Sequence, residues 1–258
     1  MQPTQKAVRL ICGVSLIKGK TMISVFIDET SDSKFKDYFG LCVATINSSF
    51  YPKVKAEFQQ ILRRYGWDTT VEFKGSFLFS AKQGDANITV EDRVSIAQEL
   101  ISLNKSEVNA RMKFHYFAKN STDQKADYLR FLPILLKKAL PRAQEKDGKN
   151  LVSVHYDQRS DISPKDIRKA VTPILEDRGY HLFEDVVMAV SRFDTVGIIY
   201  ADIVGYLQAR VQTITKDAEL FENIEPEHWK TNGKLRKLQS STKILHGIKA
   251  LKLYKVKG

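Results

Sequence analysis

The sequence predicts an α/β protein: a mixed sheet with an N-terminal antiparallel hairpin, helices on both faces and a basic C-terminal extension. Three observations predict it. Two strand-like runs open the chain close together, later strand-like runs alternate with helical ones, and the first strand is apolar on both faces, as a strand covered on both sides is. That first run, 22–32, carries Ile23, Val25, Phe26 and Ile27, β-branched or aromatic residues suited to a pleated strand. A turn at 31–37 brings the second run, 38–46, back antiparallel to it.

The remaining elements follow in order. Residues 50–65 read as a helix, with Val54, Phe58, Ile61 and Leu62 at helical spacing and Gly66 as its stop. Residues 71–79 alternate as a short strand or extended segment broken at Gly75. Residues 89–103 read as a helix capped by Thr89 with Asp92 three positions on. A strand at 111–118 precedes a long helix at 122–140, in which Pro133 predicts a kink or a break. A strand at 151–156 ends in Asp157. Ser163 caps a helix with Pro164 at its first position, running to 178. Residues 183–190 read as a strand, 196–214 as the last clear helix, and 215–258 as irregular. The domain reading is an extension at 1–21, one domain at 22–214 and the basic extension at 215–258.

Composition narrows the function. The 258 residues, 43% of them hydrophobic, suffice for a sizeable core. Cys12 and Cys42 both lie in apolar stretches and read as buried free thiols of a cytoplasmic protein. No apolar run approaches the roughly 20 residues that span a bilayer, so no membrane role is expected. Lys6, Arg9 and the run 10–17 faintly imitate a signal peptide, but Lys18 and Lys20 stand where small residues should be. The net charge is +11, and no Asp or Glu follows Glu227. Lys230, Lys234, Arg236, Lys237, Lys243, Lys249, Lys252, Lys255 and Lys257 make that tail either a solvated surface or a footprint for phosphate backbones.

Four acids stand out. Asp28 terminates the apolar part of the first strand, and a carboxylate there is costly to bury without compensation. It reads either as the start of a polar turn or as a metal ligand. Asp157 ends its own strand in the same way. If the two strands are parallel neighbours, the two acids meet at one sheet edge, where open α/β sheets place their ligands. Asp202 lies in the apolar helix on a face shared with Ile198, Ala201, Gly205 and Ala209, whose small residues allow close approach to a sheet. A salt bridge or a shared metal would explain it. Glu72 lies two residues from Lys74, on the same side of an extended segment, either as a surface pair or as a fourth ligand. Acids held on rigid elements suit Mg2+ or Mn2+, which prefer hard oxygen ligands, and such ions hydrolyse phosphodiesters.

The segments F-I-D-E-T-S-D, V-E-F-K-G-S, V-H-Y-D-Q-R and A-D-I-V-G-Y-L resemble, in motif order over 22–210, a bacterial and phage family known as domain of unknown function 3800. That resemblance implies an RNase H-like fold, nuclease activity, and metal-binding acids at Asp28, Glu72, Asp157 and Asp202. Thr30-Ser31 stands where the family usually has Ser-Gly, and Tyr200 where it often has a polar residue or leucine; neither departure removes a carboxylate.

The sequence reading is therefore a nuclease dependent on Mg2+ or Mn2+. Asp28, Glu72, Asp157 and Asp202 would hold the metal, and Lys74 would act with them. Glu29, Thr30, Arg159, Lys234, Arg236 and Lys237 would contact a nucleic acid. The alternative is a non-catalytic nucleic-acid- or protein-binding module on the same fold. Other chemistries fit less well. A haloacid-dehalogenase-type phosphatase needs an acid where Thr30 stands. His115 and His155 lie within strands, and His228 and His246 lack zinc-spaced partners. Tyr65, Trp67 and Phe73 read as core more readily than as base-stacking residues.

Overall fold

A computed structural model describes residues 22–31, 37–80, 82–103, 112–143, 150–189, 195–217, 231–248 and 251–254. The expectations for 1–21, Asp32, the loop 144–149, His228, Lys230, Lys249, Lys255 and Lys257 lie outside the described residues.

Strand β1 (Met22–Ser31) pairs antiparallel with β2 (Tyr38–Asn47) from Ile23 beside Asn47 to Ser31 beside Phe39. β3 (Lys113–Asn120) pairs antiparallel with β2, and β4 (Leu151–Asp157) lies parallel to β1 on its other side. Two short strands, β5 (His181–Leu182) and β6 (Val187–Ala189), run parallel to β4. The order β3-β2-β1-β4-β5, antiparallel on one side of β1 and parallel on the other, is the mixed sheet with an opening antiparallel hairpin that the sequence predicts.

Side-chain alternation divides the core. Ile23, Val25 and Ile27 join Phe39, Leu41 and Val43 against α3 (Gln124–Ala139) and α4 (Pro164–Arg178). Phe26 joins Cys42, Ala44 and Ile46 on the opposite face. There they meet α1 (Tyr51–Arg64), α2 (Val90–Ser102) and α5 (Val196–Thr215). The expected caps form. Thr89 Oγ1 accepts the Asp92 N–H at 3.1 Å, and Ser163 and Asp166 make a reciprocal capping box.

Helix α5 lies flat on β1 and β2 because its sheet-facing stripe is small. A Cβ on Gly197 would come within 2.3–2.4 Å of the Phe26 ring, and one on Gly205 within 2.6 Å of Thr30 Oγ1. Gly197→Ala is expected to destabilise the protein by about 1–3 kcal/mol, the usual cost of overpacking, despite alanine's better helix propensity. A chemical denaturation midpoint equal to or above wild type would contradict this packing.

Four expectations need correction. Residues 71–79 form no strand: Phe73 plugs into the core edge-on to Trp67 at 4.8 Å, and the chain then turns through a short 3-10 helix, Gly75–Phe77. The segment's backbone serves the neighbouring helix rather than a ladder. Pro133 neither breaks nor divides α3, which runs as one helix at the cost of one backbone donor. Of the strand expected at 183–190, only β6 (Val187–Ala189) forms among the described residues; β5 precedes the range, and Glu184 between the two is left-handed at φ 62°. Finally, the C-terminal region is not irregular throughout its described residues. It forms α6 (Gly233–His246), capped by Asn232, and β7 (Leu251–Tyr254), which extends the sheet parallel to β3. The periodic Leu235, Ile244 and Leu245, all buried, make the basic segment half of an amphipathic helix.

Candidate functional site

Where β1 leaves β4, the sheet opens. The β1–β4 register ends with Ile27 beside Tyr156, while β1 stays paired with β2 as far as Ser31. Asp28 and Asp157, one residue further along each strand, are therefore neighbours at the carboxyl end of a parallel pair. Asp28 points to the α5 face and Glu29 to the α3 face, so this strand end presents acids to both sides of the sheet.

Asp28 is only 6% exposed. Burial pushes its carboxyl well above the ordinary carboxylate range, and the charges of Asp202, Glu29 and Asp157 push the same way. Its Oδ1 accepts the N–H of Glu29 at 2.9 Å. Asp202 reaches the same region from α5. Burial raises it to about 7 against the pull of the Gly75 N–H and Lys74, with Glu72 and Asp157 adding repulsion. The Gly75 N–H donates to Asp202 Oδ2 at 2.6 Å. Gly75 is required there: a Cβ would lie 2.6 Å from Tyr206 Cβ and 3.1 Å from the Asp202 carbonyl oxygen.

Glu72 and Lys74 flank this contact. Lys74 Nζ lies 2.9 Å from Glu72 Oε2, and its charge also acts on Asp202 and Asp157. Lys74 is thus the cation inside the acidic cluster, placed by the turn at Gly75 rather than by strand alternation. Burial also raises Glu29, to about 7, although Arg159 opposes the rise. Arg159 is not poised for a phosphate: Nη1 lies 3.1 Å from Glu29 Oε1, and Nε and Nη2 each donate at 2.9 Å to Asp161. Its guanidinium also covers the Tyr128 ring at 5.5 Å. Thr30 is buried beneath Gly205, facing the helix rather than solvent.

The basic residues expected to contact substrate lie on α6. Lys234 Nζ bonds Asp217 Oδ2 at 2.9 Å, and Arg236 reaches Glu91 at 3.9 Å. Arg236 and Lys237 instead line a cavity of about 440 Å³ between α2 and α6. His155 stacks on Phe26 and His115 on Tyr254, as packing residues do. No described helix is long and apolar enough to cross a membrane.

Two residues that organise the site were not expected to do so: Gly75 reads only as a break in an extended segment, and Arg93 was not singled out at all. Gly75 lies 127 positions from the carboxylate it serves, and no local pattern links them. Arg93 did leave a signal: it shares the buried face of α2 with Ile96, Ala97 and Leu100. Its guanidinium, 3% exposed, donates to the carbonyls of Phe77, Ser80, Gln83 and Asp85 at 2.5–3.1 Å, fixing the loop that follows Gly75.

Among the described residues, no three Asp, Glu, His or Cys side chains stand close enough together to enclose a metal ion. The donor set nonetheless suits a hard divalent cation. All the acids offer oxygen, two buried oxygens, Glu29 Oε2 and Glu72 Oε1, have no hydrogen-bond partner among the described residues, and the carboxylates raise one another's pKa. A cation held by these carboxylates would relieve that repulsion.

No protein-family model matches the chain, and no curated protein sequence does. Among solved structures, the chain is similar to ribonuclease H2 from Pyrococcus horikoshii, with 13% identity and a TM-score of 0.43 over 88% of this chain and 99% of that one. It is also similar to the RNase HII of a PCNA:RNase HII complex from Archaeoglobus fulgidus, with 14% identity and a TM-score of 0.37 over 84% and 92% of the two chains.

Proposed function

We propose that this protein is a divalent-metal-dependent nuclease that hydrolyses phosphodiester bonds of nucleic acid at the carboxyl end of β1 and β4. The observation that supports it is the gathering of the buried Asp28 with the half-buried Asp157 and Asp202, from three distant segments, into one mutually repelling group, with Glu72 and Lys74 beside it. A fold that wanted only stability would place apolar side chains there. Retaining acids that repel one another makes sense where a ligand relieves that repulsion.

In this reading Asp28, Asp157, Asp202 and Glu72 hold Mg2+ or Mn2+. A bound ion of this class lowers the pKa of a water and stabilises the charge of a leaving oxygen. The protein's own residues do the rest. The Gly75 N–H fixes one oxygen of Asp202, leaving its other oxygen for the cluster. Lys74 supplies positive charge beside a phosphate bound at the acids, and Arg159 holds Glu29 through one oxygen while Asp161 anchors Arg159.

The test is cleavage of single- and double-stranded DNA and RNA with Mg2+ or Mn2+. Asp28→Asn and Asp157→Asn are expected to lower cleavage at least ~10³-fold, because each removes several kcal/mol of metal-mediated stabilisation. Equal cleavage by wild type and both variants would remove the assignment. The loose spacing of the acids favours one rival, a non-catalytic binding module. Mn2+ separates the two: a ligand that binds only the folded state raises its melting temperature. A rise abolished by chelator supports the nuclease, and no rise supports the module.

A further inference from the structure

The cavity between α2 and α6 has an apolar floor and a cationic rim. Phe79, Val90 and Val94 form the floor, and Arg236, Lys237 and Ser240 line it from successive turns of α6. Its volume, about 440 Å³, falls in the range that takes small organic ligands. The floor is tied to the acidic centre. Phe79 packs against Tyr206 with ring centroids 6.3 Å apart, and Arg210 covers Tyr206 at 5.1 Å. Tyr206 lies one turn of α5 from Asp202 and touches Gly75. One continuous path thus leads from Asp202 across Tyr206 to the Phe79 ring.

We propose that this cavity is a nucleobase-binding subsite, in which Phe79 stacks on one unpaired base of a strand whose flanking phosphates are held by Arg236 and Lys237. The choice of ligand rests on the nuclease reading, but the contacts do not require catalysis. An aromatic face beside cations is the recurring device for single strands, because every base has a face to stack and every linkage carries a charge. A duplex keeps those faces inside its own stack, so the subsite selects unpaired nucleotides near the scissile bond. Glu91, 3.9 Å from Arg236 on the rim, adds an acceptor for a base amino group.

The experiment measures binding of fluorescent dT and rU oligonucleotides by anisotropy in chelator, with the full chain. Phe79→Ala is expected to weaken binding about tenfold, in line with the loss of one stacked base. Ser240→Trp, which fills the cavity while leaving both cations, is expected to do the same. Circular dichroism melting of each variant reports whether it is folded. An abasic oligonucleotide is expected to bind wild type as weakly as the normal strand binds Phe79→Ala, and to be indifferent to that substitution. A blunt duplex is expected to show no dependence on Phe79. If abasic and normal strands bind alike, or folded Phe79→Ala and Ser240→Trp both bind as wild type, the subsite does not exist. Such a result leaves metal-dependent cleavage untouched, and absent cleavage with intact base dependence overturns the nuclease reading alone.

Discussion

Asp202→Asn is expected to raise the melting temperature of the chelated protein while abolishing metal-dependent cleavage. Asparagine keeps an oxygen to accept the Gly75 N–H and removes a charge from a buried site crowded by Asp28, Asp157 and Glu72. The sign follows from proton linkage. An unfolded aspartate titrates near about 4, whereas burial holds the folded Asp202 at about 7. The folded state therefore binds more protons between those values, and its stability falls as pH rises through that window. The advantage of Asp202→Asn should be small at pH 4, grow to about pH 7 and remain level above it. Each pKa unit is worth about 1.4 kcal/mol, so the plateau should reach a few kcal/mol. Saturating Mn2+ should shrink the gap by stabilising wild type selectively. A variant less stable than wild type at pH 8 in chelator would mean that Asp202 is already compensated by the protein, and the metal reading would lose its physical basis.

Arg93→Met is expected to have the largest effect on stability. The guanidinium is nearly fully buried and bonds four carbonyls, and no carboxylate pairs with it among the described residues. Methionine fills much of the volume but donates nothing, so four inward-facing carbonyls lose their donor. An unsatisfied buried polar group costs about 1–3 kcal/mol, so a loss of at least ~3 kcal/mol is expected even if some carbonyls turn to solvent. At about 2–4 °C per kcal/mol for a chain of this size, the melting temperature should fall by roughly 10 °C. Arg93→Lys should rescue little, because an ammonium lacks the planar fork that reaches several acceptors. That loop continues directly from the segment that carries Glu72, Lys74 and the Gly75 N–H. Hydrogen exchange at Gly75 should therefore rise and cleavage should fall in the same variant. An unchanged melting temperature with unchanged exchange would show that the loop is held by Phe73 and Trp67 instead.

The recognised acids and the structural roles they turned out to have differ in instructive ways. Asp28 and Asp157 were legible because strand-forming runs stop in carboxylates, and parallel pairing of their strands then makes them neighbours. Asp202 was legible because an acid interrupts an apolar, small-residue helix. Glu29 and Arg159 were expected to meet substrate, yet they meet each other, because β1 alternation turns Glu29 to the α3 face where Arg159 sits. Glu72 and Lys74 were placed on a short strand or extended segment; no strand forms there, though Lys74 is extended. Their pairing survives because the turn at Gly75 keeps both beside Asp202.

By itself, the sequence determined the mixed α/β class, the opening hairpin and most helix limits, and it marked three acids as candidates, since periodicity, caps and strand-terminal charges are local and written within a few residues. Only the tertiary structure decided that the basic tail folds into α6 and a strand on the sheet. It likewise decided that β1 outruns its pairing with β4, that Gly75 serves Asp202, and that Arg93 binds four carbonyls. Those are contacts between segments far apart in the chain, and their energy comes from burial and close packing that exist only once the sheet and its helices have come together.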